Sequence, residues 1–128
     1  MRIYIAAPWD RRDQARLESE KFIADGHEIT HKWWDKEIPG QEPDLMAEQA
    51  EKDFMGVGGA DVFVLMNMQV RGAETSGKAV ETGIALLANR ALGVPLIYAI
   101  GERNTNIFHY LPEFEWRESI EEILNELK

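Results

Sequence analysis

Glu81 is the carboxylate whose placement most suggests chemistry. It stands near the start of the strongest helical pattern in the chain, and its neighbours at +4, +7 and +11 are Ala85, Ala88 and Leu92. A carboxylate that continues an apolar row faces protein rather than bulk water. The helix N-terminus favours its ionised form by about 0.3–1 kcal/mol. An ionised, partly buried carboxylate at the mouth of an α/β sheet is a candidate nucleophile or base. An ordinary first-turn glutamate has the same spacing, so position alone leaves both readings open.

Other polar residues converge on the same rim. Tyr4 lies on the first apolar run, and its hydroxyl can orient a carboxylate. Asp53, near the end of the second long helix, either reaches the rim or lies on a solvated face. Thr75, Ser76 and Gly77 offer hydroxyls and free helix N–H groups where an anion can bind. Ala7 ends the first strand, Pro8 and Trp9 follow it, and Arg11, Arg12 and Lys78 bring local cations. Asp61 opens a strand at the opposite end of the sheet and reads as structural.

His27-Glu28-Ile29-Thr30-His31 matches H-E-x-x-H. In a zinc hydrolase a helix puts both imidazoles on one face. Here Asp25-Gly26 precedes the motif, Ile29 and Thr30 are β-branched, and no third His follows at metzincin spacing. Two histidines on a strand are the favoured reading. Gly56, Gly58 and Gly59 close a helix rather than open one, so they read as a helix stop and tight turn, not a dinucleotide fingerprint.

The elements that must hold these residues alternate. Strands are expected at Arg2–Ala7, His27–Trp33, Asp61–Asn67 and Val94–Ile100, with Glu113–Trp116 as a fifth, edge strand. Helices are expected over about Asp10–Asp25, over a segment capped by Asp44 and running to Val57, over Gly77–Leu92, and over Arg117–Leu127. The Gly77–Leu92 helix is expected to bury Val80, Ile84, Leu87, Ala88 and Ala91. This alternation predicts an α/β fold, a flavodoxin-like or Rossmann-like three-layer sandwich with a parallel sheet of four or five strands ordered 2-1-3-4-5. Ligands then bind beyond the strand carboxyl ends, around Ala7–Arg12, Met66–Ser76 and Gly101–Asn106.

The composition fits one domain over all 128 residues. With no cysteine, disulfides, thiolate zinc sites and cysteine nucleophiles are excluded. Lys+Arg 14 against Asp+Glu 23 gives a net charge of −9, which disfavours nucleic acid and anionic membranes as partners. No apolar run approaches a membrane span, and the opening segment is too short for a signal peptide, so a cytoplasmic protein is expected.

The whole chain resembles the nucleoside 2-deoxyribosyltransferase superfamily, which includes the 2'-deoxynucleoside 5'-phosphate N-hydrolases. The resemblance is carried by Ile3-Tyr4-Ile5-Ala6-Ala7, Lys52-Asp53-Phe54 and Ala60-Asp61-Val62-Phe63-Val64-Leu65. Its most specific piece is Ser76-Gly77-Lys78-Ala79-Val80-Glu81-Thr82-Gly83-Ile84-Ala85, a Gly-containing turn followed by Glu-x-Gly-x-Ala. Gly93-Val94-Pro95-Leu96 fits the helix-to-strand turn that follows.

The resemblance implies a metal-free and cofactor-free enzyme that cleaves or exchanges the N-glycosidic bond of a (deoxy)nucleoside or nucleoside 5'-monophosphate. It makes Glu81 the nucleophile of a covalent glycosyl ester, with Tyr4 positioning it and Asp53 holding sugar hydroxyls. Thr75 stands where many transferases have an aspartate that protonates the leaving base, and where phosphate-handling hydrolases often have serine. That departure tilts the expectation towards a nucleotide. The resemblance also implies a homodimer or higher homo-oligomer, with Asn104, Asn106 and His109 as residues that could complete a neighbouring subunit's site. The alternatives are a non-catalytic nucleotide-binding module on the same fold, and the H-E-x-x-H zinc hydrolase.

Overall fold

The computed structural model describes residues 1–35, 42–68, 76–103 and 106–128, with Ser76 described by its backbone only. Strand β1 (Arg2–Ala6) leads through a 3-10 turn (Trp9–Arg11) into helix α1 (Arg12–Ala24). Next come β2 (Glu28–Ile29), a second 3-10 turn (Trp33–Asp35), α2 (Pro43–Gly58) and β3 (Val62–Asn67). Helix α3 (Ser76–Leu92), β4 (Leu96–Gly101), a 3-10 turn (Ile107–Tyr110), β5 (Phe114–Arg117) and α4 (Ile120–Glu126) complete the order.

The five strands form one parallel sheet in the order β2-β1-β3-β4-β5, as the alternation of elements predicts. All six residues of β3 are buried, the signature of a central strand covered on both faces. Alternation along the strands sorts side chains into two cores. Ile3, Ile5, Val62, Val64 and Met66 pack with Phe22 of α1 and with Ile120 and Ile123 of α4. Tyr4, Ala6, Phe63, Leu65 and Ala99 pack with Val57 of α2 and with Ala85 and Leu86 of α3. Both helix layers are thereby fixed by a strand period of two.

Several local expectations are corrected. The strand expected over His27–Trp33 is two residues long, because Trp33–Asp35 turns to place the Trp33 indole against β1, its Nε1–H donating to the Ile5 carbonyl at 2.7 Å. Helix α2 begins at Pro43, not after an Asp44 cap, since proline's fixed φ suits the first turn. Gly56 and Gly58 lie inside α2, and Gly59 is its C-cap.

Helix α3 buries a different stripe from the one expected. Thr82, Ala85 and Leu86 face the sheet, while Val80 and Leu87 are 63% and 71% exposed. The row through Glu81 and Ala85 is narrow enough to lie on the strands, and the bulkier row is left outside. Gly93, at φ +79°, ends α3 in the left-handed conformation that glycine adopts without penalty.

Candidate active site

Three elements bring Tyr4, Asp53 and Glu81 together. Tyr4 is fully buried in the middle of β1, its ring stacked on Phe63 with centroids 5.9 Å apart and planes 4° apart. Asp53 comes from the last turns of α2 and Glu81 from the second turn of α3, and these two helices lie side by side on the Tyr4 face.

The electrostatics are those of a desolvated carboxyl with a second, partly exposed one beside it. Burial pushes the Glu81 carboxyl up to about 8, the neighbouring Asp53 adds to the rise, and contact with the Tyr4 hydroxyl partly offsets it. Burial, then Glu81 and Asp53, raises the Tyr4 phenol as well. Its hydroxyl lies close enough to feel both carboxyls, yet completes no hydrogen bond of good geometry. The expected helix-dipole preference for an ionised Glu81, about 0.3–1 kcal/mol, is therefore outweighed by desolvation of several kcal/mol.

Asp53 has a partner that sequence reasoning assigned elsewhere. His31 Nδ1 lies 2.8 Å from Asp53 Oδ1, while His31 Nε2 is buried and without a protein partner among the described residues. Asp53 accepts, so in the neutral imidazole the proton sits on Nδ1. His27 Nδ1 lies 3.2 Å from the chain's N-terminal amine. The two histidines of H-E-x-x-H flank a two-residue strand instead of sharing a helix face, and no group of three metal-ligating side chains occurs among the described residues.

Gly56 makes this arrangement possible. A Cβ there would sit 3.0 Å from Tyr4 Cδ2 and Cε2 and 3.1 Å from His31 Cβ. The Gly56 carbonyl accepts from Thr30 Oγ1 at 2.8 Å, which ties the end of β2 to α2. Helix α2 thus rests directly on the Tyr4 ring.

At the rim, Lys78 Nζ donates to Asn67 Oδ1 at 2.9 Å, and Asn67 Nδ2 donates to the Glu102 carbonyl. Pro8 is buried, and Ala7 and Trp9 are partly exposed after β1. Trp9 packs against Trp33 at 6.1 Å between centroids. Arg12 donates to the Trp9 carbonyl at 3.2 Å and lies over the Trp9 ring, while Arg11 is exposed. Gly77 is exposed in the first turn of α3. Thr75 and Asn104 lie outside the described residues.

His109 differs from the expectation of a residue offered to a neighbouring subunit. It is 4% exposed and packs against Phe114 and Trp116 of its own chain. Asn106 caps the adjacent 3-10 turn, accepting from the Phe108 N–H. Asp61 accepts from the Arg2 N–H at 2.7 Å, the structural role read from sequence. A cavity of about 510 Å³ at the outer ends of β4 and β5, lined by Arg103, Trp116 and Arg117 among others, contains none of Tyr4, Asp53 or Glu81.

Sequence reasoning missed His31, Gly56 and Asn67. Asn67 left a signal, as the one polar residue closing the apolar run Val62–Asn67. His31 was hidden by its motif, and Gly56 by its resemblance to an ordinary helix stop.

Fold and site define a doubly covered parallel α/β protein with a largely buried glutamate and a buried tyrosine beside a partly exposed aspartate, against the central strands. This is the fold of solved nucleoside 2-deoxyribosyltransferase-type proteins. The 2-deoxyribosyltransferase from Bacillus psychrosaccharolyticus superposes with a TM-score of 0.68 at 17% identity, over 98% of this chain and 91% of that one. The CMP N-glycosidase BcmB of Clostridium botulinum superposes with a TM-score of 0.57 at 18% identity, over 99% of this chain and 98% of that one. No family model matches the chain, and no curated protein matches it in sequence.

Proposed function

We propose that this protein cleaves or exchanges the N-glycosidic bond of a (deoxy)nucleoside or nucleoside 5'-monophosphate through a covalent glycosyl ester on Glu81. The observation that carries the reading is the burial of Glu81 beside Tyr4 and Asp53, on a fold shared with an N-glycosidase and a deoxyribosyltransferase. The ionised Glu81 carboxylate attacks the anomeric carbon as the base departs. Tyr4 holds the attacking oxygen, and Asp53, held by His31, accepts from sugar hydroxyls. Water or a second base then opens the ester. No step draws on a metal ion or cofactor.

The test is chromatography of nucleosides and their 5'-monophosphates after incubation, with and without a free acceptor base. Free base without acceptor marks a hydrolase. A new nucleoside only with acceptor marks a transferase. Binding without either product would replace this reading with the non-catalytic module. A rate advantage for the monophosphate would support the nucleotide preference, with helix N–H groups at the start of α3 as the phosphate's donors.

We infer further that the chain works as a homo-oligomer through the outer face of α2 and α3. Phe54, Met55, Val80 and Leu87 are 57%, 67%, 63% and 71% exposed on these adjacent helices. Covering each such side chain contributes up to about 1.5–3 kcal/mol. Leu87→Glu is expected to convert a dimer into a monomer in sedimentation velocity. A parent chain that sediments as a monomer would remove the inference.

No helix among the described residues is long and apolar enough to cross a membrane.

A further inference from the structure

Lys78 is a half-buried cation with no carboxylate partner among the described residues; its hydrogen bond goes to the Asn67 side-chain carbonyl. Other cations near the strand ends are spent differently. Arg12 lies over Trp9, Arg103 over the Tyr110 and Trp116 rings, and Arg117 is paired with Glu126 and Glu115.

The register places Lys78 relative to Glu81. Tyr4 pairs with Phe63, and Asn67 lies four residues further along β3, roughly 13 Å towards the open rim at about 3.3 Å per residue. On α3, Lys78 precedes Glu81 by three residues, about 4.5 Å of helix rise. Lys78 therefore lies outward of Glu81, towards the open strand ends from which a substrate would enter.

Breaking a C–N glycosidic bond leaves an electron pair on a poor leaving group, and a positioned acid speeds such a step by about 10²–10⁴. Asp53 is on the Tyr4 side, tied to His31, and belongs to the nucleophile's surroundings. Resting on the reading of Glu81 as nucleophile, we propose that Lys78 is the proton donor to the departing base. The C–N bond breaks towards the base, one Nζ–H proton passes to a ring nitrogen or carbonyl oxygen of that base, and the Glu81 oxygen bonds to the anomeric carbon. Water then opens the ester, regenerating the Glu81 carboxylate, and its released proton restores the Lys78 ammonium.

Two further observations suit a heterocyclic base better than a phosphate. The companion of Lys78 is a carboxamide, not a second cation, whereas a phosphate is best held by several converging charged donors. Burial also lowers the Lys78 ammonium below its ordinary range, which eases proton transfer. His109, lowered by burial and by Lys78, adds no competing positive charge at neutral pH.

The experiment compares Lys78→Met and Lys78→Arg with the parent on two substrates. One is an ordinary pyrimidine or purine 2'-deoxynucleoside, supplied with and without its 5'-phosphate. The other is 4-nitrophenyl 2-deoxyriboside, whose leaving group departs without a proton. Both variants are expected to lose at least about 100-fold in kcat/KM on the ordinary substrate and less than about 3-fold on the activated one. The Arg variant keeps the charge, but its guanidinium does not surrender a proton. Near-parental turnover of the activated substrate certifies that a variant is folded. Equal losses on both substrates, or a loss confined to phosphorylated substrates, would overturn the proton-donor role. A parent chain that cleaves neither substrate would overturn the nucleophile reading itself, and the donor role with it.

Discussion

Glu81→Gln is expected to fold like the parent chain and to lose glycosidic turnover by about three orders of magnitude or more. The amide keeps the shape of the carboxyl and its place beside Tyr4, but it cannot bond covalently to an anomeric carbon as a carboxylate does. Turnover of model substrates with activated leaving groups should fall too, because the attacking atom itself is changed. Retention of more than about a tenth of parental turnover, a barrier change below ~1.4 kcal/mol, would remove Glu81 as the nucleophile.

The second large effect is a dependence on pH. The folded state holds the Glu81 proton up to about 8, while an unfolded glutamate releases it near its ordinary 4.5. Between these values the native state binds more proton than the unfolded state, so stability falls as pH rises. The contribution is fully present below about 4.5 and is lost as pH passes about 8. Its size is on the order of a few kcal/mol.

Urea unfolding of the parent and of Glu81→Gln from pH 5 to 9 reads this directly. The parent should lose stability relative to the variant across that range, and parallel curves would show that Glu81 is not desolvated. Activity should run the opposite way, with kcat/KM climbing as the carboxylate forms towards pH 8.

Much of this was legible before the structure. Strand order followed from alternating elements and from the two-faced apolar run Val62–Asn67. The sequence offered Glu81 and Tyr4 as neighbours at the sheet but left Asp53 open between the rim and a solvated face; the fold brings it beside them. What sequence could not give were choices made by packing. An amphipathic helix with two apolar rows does not say which row meets the sheet, so Val80 and Leu87 were assigned inward and lie outward. A carboxylate at a helix start does not announce how dry its surroundings are, so the upward shift that burial gives Glu81 could not be read from its position. His31 needed the third dimension, because its partner is 22 residues away on another element.

The seat of α2 on the Tyr4 ring has a consequence for how this protein tolerates change. Gly56 lies three residues beyond Asp53 on one rigid helix, and any side chain there would press on Tyr4 and on His31. A helix lifted to relieve that pressure carries Asp53 with it. Packing and chemistry are thus geared together at one residue. Enlarging it to tighten the core would shift the pair of groups that faces Glu81, so at this position stability and turnover cannot be tuned independently.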